Sequence, residues 1–175
     1  MVLANTPERQ QSLEFASYKK ILENKFMQKG FNVTDNKEIA DYVAVINYGI
    51  DEGTLVVHTY QVPQRGYIGM NNYPYGYYRG YNNGLYPYQP YGNMGYTTET
   101  VTSREYNRNL SIDIMDRPGF LQANPIKFYE GKAKSSGNCG SLPGVFEPLV
   151  EALFFDFPGI NGKTQIISIP WEPKC

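Results

Sequence analysis

Residues 109–116 read Asn-Leu-Ser-Ile-Asp-Ile-Met-Asp, and the alternation in this stretch decides the fold class. Leu110, Ile112 and Ile114 lie on one face of an extended chain, because successive side chains of a strand point to opposite faces. The other face carries Ser111, Asp113 and Met115. This pattern predicts a strand with one face on a core and one face toward solvent, and we expect it to span Thr97–Asp116.

Two periodic apolar segments predict helices before and after this strand. The first lies near residues 7–29, with Thr6 as its N-cap, Pro7 in its first position and Gly30 as a left-handed C-terminal cap. The second lies near residues 145–156 and presents a broad apolar face. The apolar face of the first recurs at helical spacing, at Phe15, Tyr18, Leu22 and Phe26.

The remaining apolar runs predict further strands. Residues 49–53 either turn two of these runs into a hairpin or form a bulge in one long bent strand, and we favour the bent strand. We expect the run after the central strand to pair antiparallel with it. The runs are Tyr42–Ile46, Thr54–Val62 and Ile126–Lys134, with shorter candidates at Phe31–Val33 and Thr164–Ile169.

Consecutive strands with a helix near each end predict an α+β fold. We expect a two-layer sandwich, in which an antiparallel sheet of about four to five strands carries two helices on one face. The chain has 175 residues, so we assign residues 1–175 to a single α+β domain. A chain of this length buries a core without needing a metal or a disulfide.

Charge and hydropathy exclude several classes of partner. The chain has 16 basic and 17 acidic residues, and its net charge of -1 creates no field that attracts nucleic acid. No apolar run approaches the ~20 residues that span a bilayer, so we expect no transmembrane segment. The N-terminus lacks a basic stretch followed by an apolar one, so we expect no signal peptide in this chain.

The two cysteines, Cys139 and Cys175, have neither metal-site spacing nor a CxxC pattern. One interpretation is two unrelated thiols. The other is a disulfide that ties the C-terminal tail to the loop holding Cys139 and closes a loop of 37 residues. In the chain-entropy model this bond stabilises the fold by roughly 3–4 kcal/mol. It requires an oxidising compartment.

One segment differs in composition from the rest of the chain. Residues 66–96 hold ten Tyr, seven Gly, five Asn and three Pro, with Arg79 as their single charged residue. Three interpretations stay open: a flexible loop without function, a binding surface, or a self-associating segment. Tyrosine suits a binding surface because it offers apolar area and a hydroxyl at low rotamer entropy. The side chains that we expect to contact a partner are Tyr73, Tyr75, Tyr77, Tyr78, Tyr81, Tyr86, Tyr88 and Tyr91.

Four pieces of the chain, in order, resemble a known family. They are the helix that ends in Lys29-Gly30-Phe31, the run Ile39–Val45, residues 109–116 with Phe128–Ala133, and a last helix that ends in Phe157-Pro158. Together they resemble the bacterial lipoprotein family known as domain of unknown function 4136, over most of residues 8–158.

The resemblance implies an α+β fold and an extracytoplasmic location, with a possible lipid anchor in a full-length precursor. It brings no activity. This chain differs from the family pattern in three respects: it has no lipobox, it has Tyr129 where the family usually has Trp, and it has an extension at residues 159–175.

His58 is the single histidine, so a hydrolase-type enzyme would have to use it with a carboxylate such as Asp113 or Glu105. It lies in a β-rich run with no GxSxG motif, which favours a histidine on a strand face. Asp113 and Asp116 fall on opposite faces of a strand, so we predict that they do not converge on a substrate. One His and two distant Cys make no zinc set, and we assign no catalytic residue, metal or cofactor.

We therefore expect a bacterial envelope protein without enzymatic activity, a binding or structural module that uses its aromatic segment. The expected partner is an envelope protein or a cell-wall glycan, with self-association through residues 66–96 as a further contact. We expect no nucleic-acid partner. The rival function is a hydrolase that uses His58 and nearby carboxylates.

Overall fold

Strand β4, Tyr96–Asp116, runs through a five-stranded sheet in the computed structural model of the chain. The structure describes residues 1–63, 96–160, 162–172 and 175. The α+β prediction and the long strand are confirmed. The other strands are β1 Val2–Ala4, β2 Tyr42–Ile50, β3 Thr54–Pro63 and β5 Lys127–Gly137. The helices are α1 Pro7–Gln10, α2 Leu13–Gln28, α3 Arg117–Leu121 and α4 Phe146–Phe154, the last preceded by a 3-10 turn at Pro143–Val145.

Packing contacts group the chain into two units. The first unit consists of Met1–Val56 with Arg104–Cys175, and the second is Val57–Ser103. Strands β3 and β4 both continue from the first unit into the second. Among the described residues, every helix and every buried side chain belongs to the first unit. The assignment of residues 1–175 to a single domain stays a prediction.

Strand β4 has partners along both of its edges. On one edge β2 pairs antiparallel with it, and Ile46 lies opposite Ile112. On the other edge β5 pairs antiparallel, as predicted, and Ala133 lies opposite Leu110. Strand β1, which the sequence analysis missed, joins β2 in parallel and makes the sheet mixed.

Residues 51–53 interrupt one bent strand, as we favoured, and do not turn a hairpin. Strands β2 and β3 both hydrogen-bond to β4 and are not neighbours in the sheet. The Asp51 carboxylate accepts hydrogen bonds from the backbone N–H of Gly53 (3.0 Å) and of Asn107 (2.9 Å), and from Asn107 Nδ2 (2.7 Å). Gly53 has a φ of 73°, a conformation that glycine adopts without strain. The side chain of Asp51 thus adds to the backbone hydrogen bond that the Asp51 N–H donates to the Asn107 carbonyl (3.0 Å) at the bend.

The two longer helices, α2 and α4, cover one face of the sheet. Leu110 and Ile112 of β4 are fully buried against them, and Ile114 is 8% exposed. Tyr18 of α2 stacks on Phe146 of α4, with ring centroids 3.7 Å apart. Each fully buried aliphatic side chain contributes roughly 1.5–3 kcal/mol. The helices bring to this core Phe15, Tyr18, Leu22, Phe26, Phe146, Leu149, Val150, Leu153 and Phe154.

The helix that we predicted over residues 7–29 is two helices. Thr6 caps α1 as expected, and its hydroxyl accepts a hydrogen bond from the Arg9 N–H. Ser12 then begins α2, because its Oγ accepts a hydrogen bond from the Phe15 N–H at 3.0 Å and donates one to the Arg9 carbonyl at 2.8 Å. A serine that offers the backbone these bonds favours a helix start over a helix interior.

The predicted short strand at Phe31–Val33 is wrong. Gly30, with a φ of 90°, closes α2, and the Phe31 N–H donates to the Phe26 carbonyl at 3.0 Å. The Phe31 ring then packs 5.7 Å from the Phe26 ring. Phe31 therefore serves as the apolar partner of the helix cap. The predicted strand at Thr164–Ile169 is also wrong, since these residues are described and join no ladder.

A disulfide joins Cys139 to Cys175, with their Cα atoms 5.6 Å apart, so the disulfide interpretation is confirmed. Cys139 is buried at 4% exposure. The C-terminal tail has a second attachment, because Trp171 Nε1 donates a hydrogen bond to the Gly144 carbonyl at 2.9 Å. The tail is thus fixed to the segment that leads into α4.

We predict that Cys139→Ala combined with Cys175→Ala lowers the free energy of unfolding by about 3–4 kcal/mol, because the unfolded chain regains the entropy of an open loop. Urea denaturation followed by circular dichroism measures this difference. A reductant should destabilise the natural chain by a similar amount and leave the double variant unchanged. Equal stability of the two oxidised proteins would contradict the prediction.

Candidate functional site

The eight tyrosines that we expected to contact a partner, Tyr73 to Tyr91, lie outside the described residues. Their role stays a prediction. Within the segment 66–96, the structure describes Tyr96, the first residue of β4, whose side chain is 67% exposed. The two strands that lead into and out of the segment are described, and they define the candidate site.

These two strand ends form an exposed ribbon, which we define as residues 57–63 of β3 and 96–103 of β4. Strands β3 and β4 are hydrogen-bonded neighbours. No residue of the ribbon is buried. Glu99 is its single residue with a formal charge. The large apolar side chains that it exposes are Val57, Tyr60, Val62, Tyr96 and Val101.

Both faces of the ribbon carry exposed apolar groups. Val57 is 60% exposed and Tyr60 is 53% exposed, and their odd and even positions put them on opposite faces of β3. A two-stranded ribbon without a packed face is marginally stable in water. The ribbon therefore has the composition of a strand pair that gains stability by packing against another surface.

His58 lies in this ribbon as a strand-face histidine. It is partly exposed, and its ring stacks near that of Tyr60 with the centroids 6.2 Å apart. The described residues form cavities of ≈ 330, ≈ 460 and ≈ 750 Å³, and none of the three is lined by His58, Asp113 or Glu105. None of these three cavities thus brings His58 together with Asp113 or Glu105, the arrangement that a His-based hydrolase would need.

The carboxylates on the open face of the sheet are held by lysines. Asp113 and Glu130 lie opposite each other in β4 and β5, and Lys127 Nζ is 3.1 Å from an oxygen of each. Lys132 Nζ is 2.8 Å from Glu130. Hydrogen bonds from Lys132 and then from Lys127 lower the pKa of Glu130 to about 2. Such a carboxyl has no proton to donate near neutral pH, so it does not provide a general acid.

Asp116 has a structural role that explains its position. It caps α3, where its Oδ2 accepts a hydrogen bond from the Gly119 N–H at 2.7 Å, and its Oδ1 accepts one from the Ile126 N–H. Asp113 bonds to Lys127 instead, so the structure does not bring the two aspartates to a shared site. Their separation agrees with the prediction from the spacing.

The buried cation Arg108 was missed by the sequence analysis. It is 5% exposed, its Nη2 donates to the Tyr106 carbonyl at 3.3 Å, and its Nε has no hydrogen-bond partner in the described residues. Burial lowers the pKa of Arg108, while the charge of Asp51 acts in the opposite direction. The sequence did contain a signal for this burial, because position 108 continues the apolar face formed by Leu110, Ile112 and Ile114.

The described part of the chain shows neither a metal-binding cluster nor a helix that could cross a membrane. No three His, Cys, Asp or Glu side chains there lie close enough together to hold a metal ion. The helices found over the same residues are too short or too polar to cross a bilayer.

A sheet covered on one face by two helices gives this chain an α+β fold. The family model described as Domain of unknown function (DUF4136) matches residues 3–159, and the chain belongs to this family. The family resemblance predicted from the sequence is thus confirmed. Searches of curated proteins and of solved structures found no match to the chain.

We predict that Lys132→Met raises the pKa of Glu130 from about 2 toward its ordinary value of 4.5, because the variant removes the hydrogen bond that contributes most to the shift. Carboxyl-carbon NMR during a pH titration measures both values. Lys134→Met, two residues along the same strand, serves as the control and should leave the pKa of Glu130 unchanged.

Because the pKa of Glu130 is lower in the folded chain than in the unfolded chain, this group stabilises the fold in a pH-dependent way. The contribution of Glu130 is fully present above about pH 4.5 and is lost as the pH falls toward 2, because the unfolded chain binds the proton more tightly. A measured pKa near 4.5 for Glu130 in the natural chain would contradict the hydrogen bonds from Lys127 and Lys132.

Proposed function

We propose that this chain is a non-enzymatic binding module of the cell envelope, which contacts its partner with the ribbon and with the tyrosine-rich segment that the ribbon carries. The observation that supports this proposal most strongly is the exposure of apolar side chains on both faces of the ribbon. Contiguous exposed apolar surface commonly marks a site of interaction.

The composition of the ribbon narrows the kind of partner. With one charged residue, Glu99, in its two strands, the ribbon does not recognise a partner through complementary charge. Valine, threonine and tyrosine suit extended pairing and apolar contact instead. The partner that fits this chemistry is a protein of the envelope, and a cell-wall glycan that stacks on tyrosine rings is the second candidate.

An extracytoplasmic location is supported by the Cys139–Cys175 disulfide, since such bonds persist in oxidising compartments and are rare in the cytosol. The lipoprotein-like character implied by the sequence resemblance agrees with it, and a lipid anchor in the precursor is part of the same proposal. Alkylation of thiols in intact host cells tests the location. We expect both cysteines to be oxidised in the native protein, and free thiols would contradict it.

Two arguments favour binding over catalysis. Asp113 and Glu130 form ion pairs with lysines on the open sheet face, and His58 stacks on Tyr60 within the ribbon. Neither arrangement joins a nucleophile to a base. We therefore propose no catalytic role for these groups, and the hydrolase alternative finds no specific support.

The binding proposal is tested with two variants and a matched control. The ribbon variant carries Val57→Thr, Tyr60→Thr and Val101→Thr, which keep β-forming residues and remove apolar area. The segment variant carries Ser in place of Tyr75, Tyr77, Tyr78 and Tyr81. The control is Leu13→Ser, because Leu13 is 88% exposed on α2 and is not part of the ribbon.

Crosslinking in envelope extract and co-sedimentation with insoluble cell wall measure retention of a protein partner and of a glycan partner, respectively. We expect both variants to lose about tenfold or more of the retained partner, because removal of central apolar contacts costs about 2 kcal/mol. The control should bind like the natural chain. Unchanged retention by both variants, with their circular dichroism spectra intact, would refute the proposal.

A further inference from the structure

A cavity of ≈ 330 Å³ opens at one end of the helix-covered sheet. Helix α2 ends beside it, strands β1 and β2 begin there, and β4 contributes Ile114, two residues before its own end. All of the residues that line this cavity belong to the first unit. We call it the end cavity.

The floor of the end cavity is apolar and reaches the core of the first unit. Four of its lining residues belong to the main core cluster and are each at most 8% exposed: Val2, Phe26, Ala44 and Ile114. Ala40, at 4% exposure, adds to the same buried lining. A ligand that enters the cavity would therefore extend the core and leave water almost completely.

A small residue on β2 leaves this space open. The core face of β2 continues through Ala44, Ile46 and Tyr48, because alternate residues of a strand share a face. Ile46 and Tyr48 fill their part of the core, at 0% and 4% exposure. Ala44 lies opposite Ile114 of β4, and its single methyl group leaves unfilled the volume that a larger side chain would occupy.

The loop at the mouth of the end cavity is fixed by its own hydrogen bonds. Thr34 Oγ1 accepts a hydrogen bond from the Asn36 N–H at 3.1 Å, and Asn36 Oδ1 accepts one from the Glu38 N–H at 2.8 Å. The Arg117 N–H then donates to the Asp41 carbonyl at 3.1 Å. These bonds hold the loop in place, so the cavity is formed before a ligand arrives.

The charges that line the end cavity are one of each sign. The Met1 ammonium donates a hydrogen bond to a backbone carbonyl at 2.9 Å, and the Asp41 carboxylate lies in the same lining. Asp35 and Glu23, whose charges also act on the ammonium, are both ion-paired with Lys19. A charged ligand would meet a like charge at the mouth and an apolar floor beyond it, so the cavity favours an uncharged one.

We propose that the end cavity binds a small, uncharged aromatic molecule of about two rings. An apolar cavity of about 150 Å³ holds one benzene ring, so a cavity of ≈ 330 Å³ has room for two. Phe26 and Phe31 line it, with their rings edge to face and the centroids 5.7 Å apart, and such rings favour an aromatic guest. Asn32 and Thr34 supply hydrogen bonds for one hydroxyl or carbonyl of the ligand.

The uncharged naphthalene dye prodan tests the proposal, because its emission shifts to the blue in apolar surroundings. It is titrated into the full, oxidised chain, and we expect a saturable blue shift. Unlabelled 2-naphthol should displace the dye. The anion 2-naphthoate and the cation 2-naphthylmethylammonium carry the same rings, and we expect each to need about tenfold higher concentration or more.

A variant that fills the floor locates the bound dye. Ala44→Leu should weaken prodan binding about tenfold or more, because the added carbons occupy the volume that the ligand needs. Ala133→Leu is the matched control, since Ala133 is also buried in the core, at 8% exposure, and does not line the end cavity. The control should bind prodan like the natural chain.

A second variant changes the wall without enlarging the core. Val33→Asp places a charge on a half-buried wall residue and should also weaken prodan binding about tenfold or more. Leu13→Asp is its control, because Leu13 is 88% exposed and does not line the cavity. Thermal unfolding shows which variants are folded, and Val33→Asp decides the question if Ala44→Leu is not.

Three outcomes would overturn the proposal. The first is the absence of a saturable shift. The second is prodan affinity in a folded Ala44→Leu or Val33→Asp chain equal to that of the natural chain, which would place the dye elsewhere. The third is equal displacement by the charged and uncharged naphthalenes, which would contradict the selection of an uncharged ligand.

Discussion

Burial of one face of β4 beneath α2 and α4 is the constraint on which the rest of the structure depends. Leu110 and Ile112 are inaccessible to solvent, and the strand that carries them pairs with β2, β3 and β5. A shift of register by one residue would place Ser111 and Asp113 in the core and the apolar set in water. The apolar alternation of β4 therefore sets the register of the neighbouring strands. That register in turn fixes the positions of three features: the bend at residues 51–53, the buried Arg108 and the ion pairs on the open face of the sheet.

The same strand shows two different environments along its length. Residues 110–115 of β4 are mostly buried, whereas residues 96–102 are exposed on both faces. The first part lies in a unit with helices and a core, and the second lies in a unit without a buried side chain among its described residues. The alternation of apolar and polar residues explains the burial of the first part, residues 110–115. The described residues of the second part expose their apolar side chains and bury none of them, which is the physical basis for proposing a binding role.

Strong periodicity made much of the fold predictable from the sequence. The alternation at 110–115 predicted β4, and the capping residues Thr6 and Gly30 predicted where helices begin and end. The break at Ser12 was missed because an apolar face at helical spacing continues beyond it. Strand β1 was missed because a strand of three residues is too short to show a periodic pattern. Thr164–Ile169 was wrongly assigned to a strand because a strand-like composition does not guarantee a neighbouring strand to pair with. Among the candidate site residues, the sequence spacing correctly predicted that Asp113 and Asp116 do not share a site. The lysine contacts of Glu130 were not predictable, because they depend on cross-strand pairing that the sequence does not show.

The central claim is that the helix-covered sheet of the first unit is a self-sufficient scaffold, which folds without residues 64–95. Replacement of residues 64–95 by an Asn-Gly turn, followed by thermal and urea unfolding of the shortened chain, tests it most directly. The account predicts a cooperative transition and a free energy of unfolding within about 1 kcal/mol of the natural chain, because the core face of β4 is untouched. Loss of the cooperative transition would show that the excised segment belongs to the core and would contradict the account.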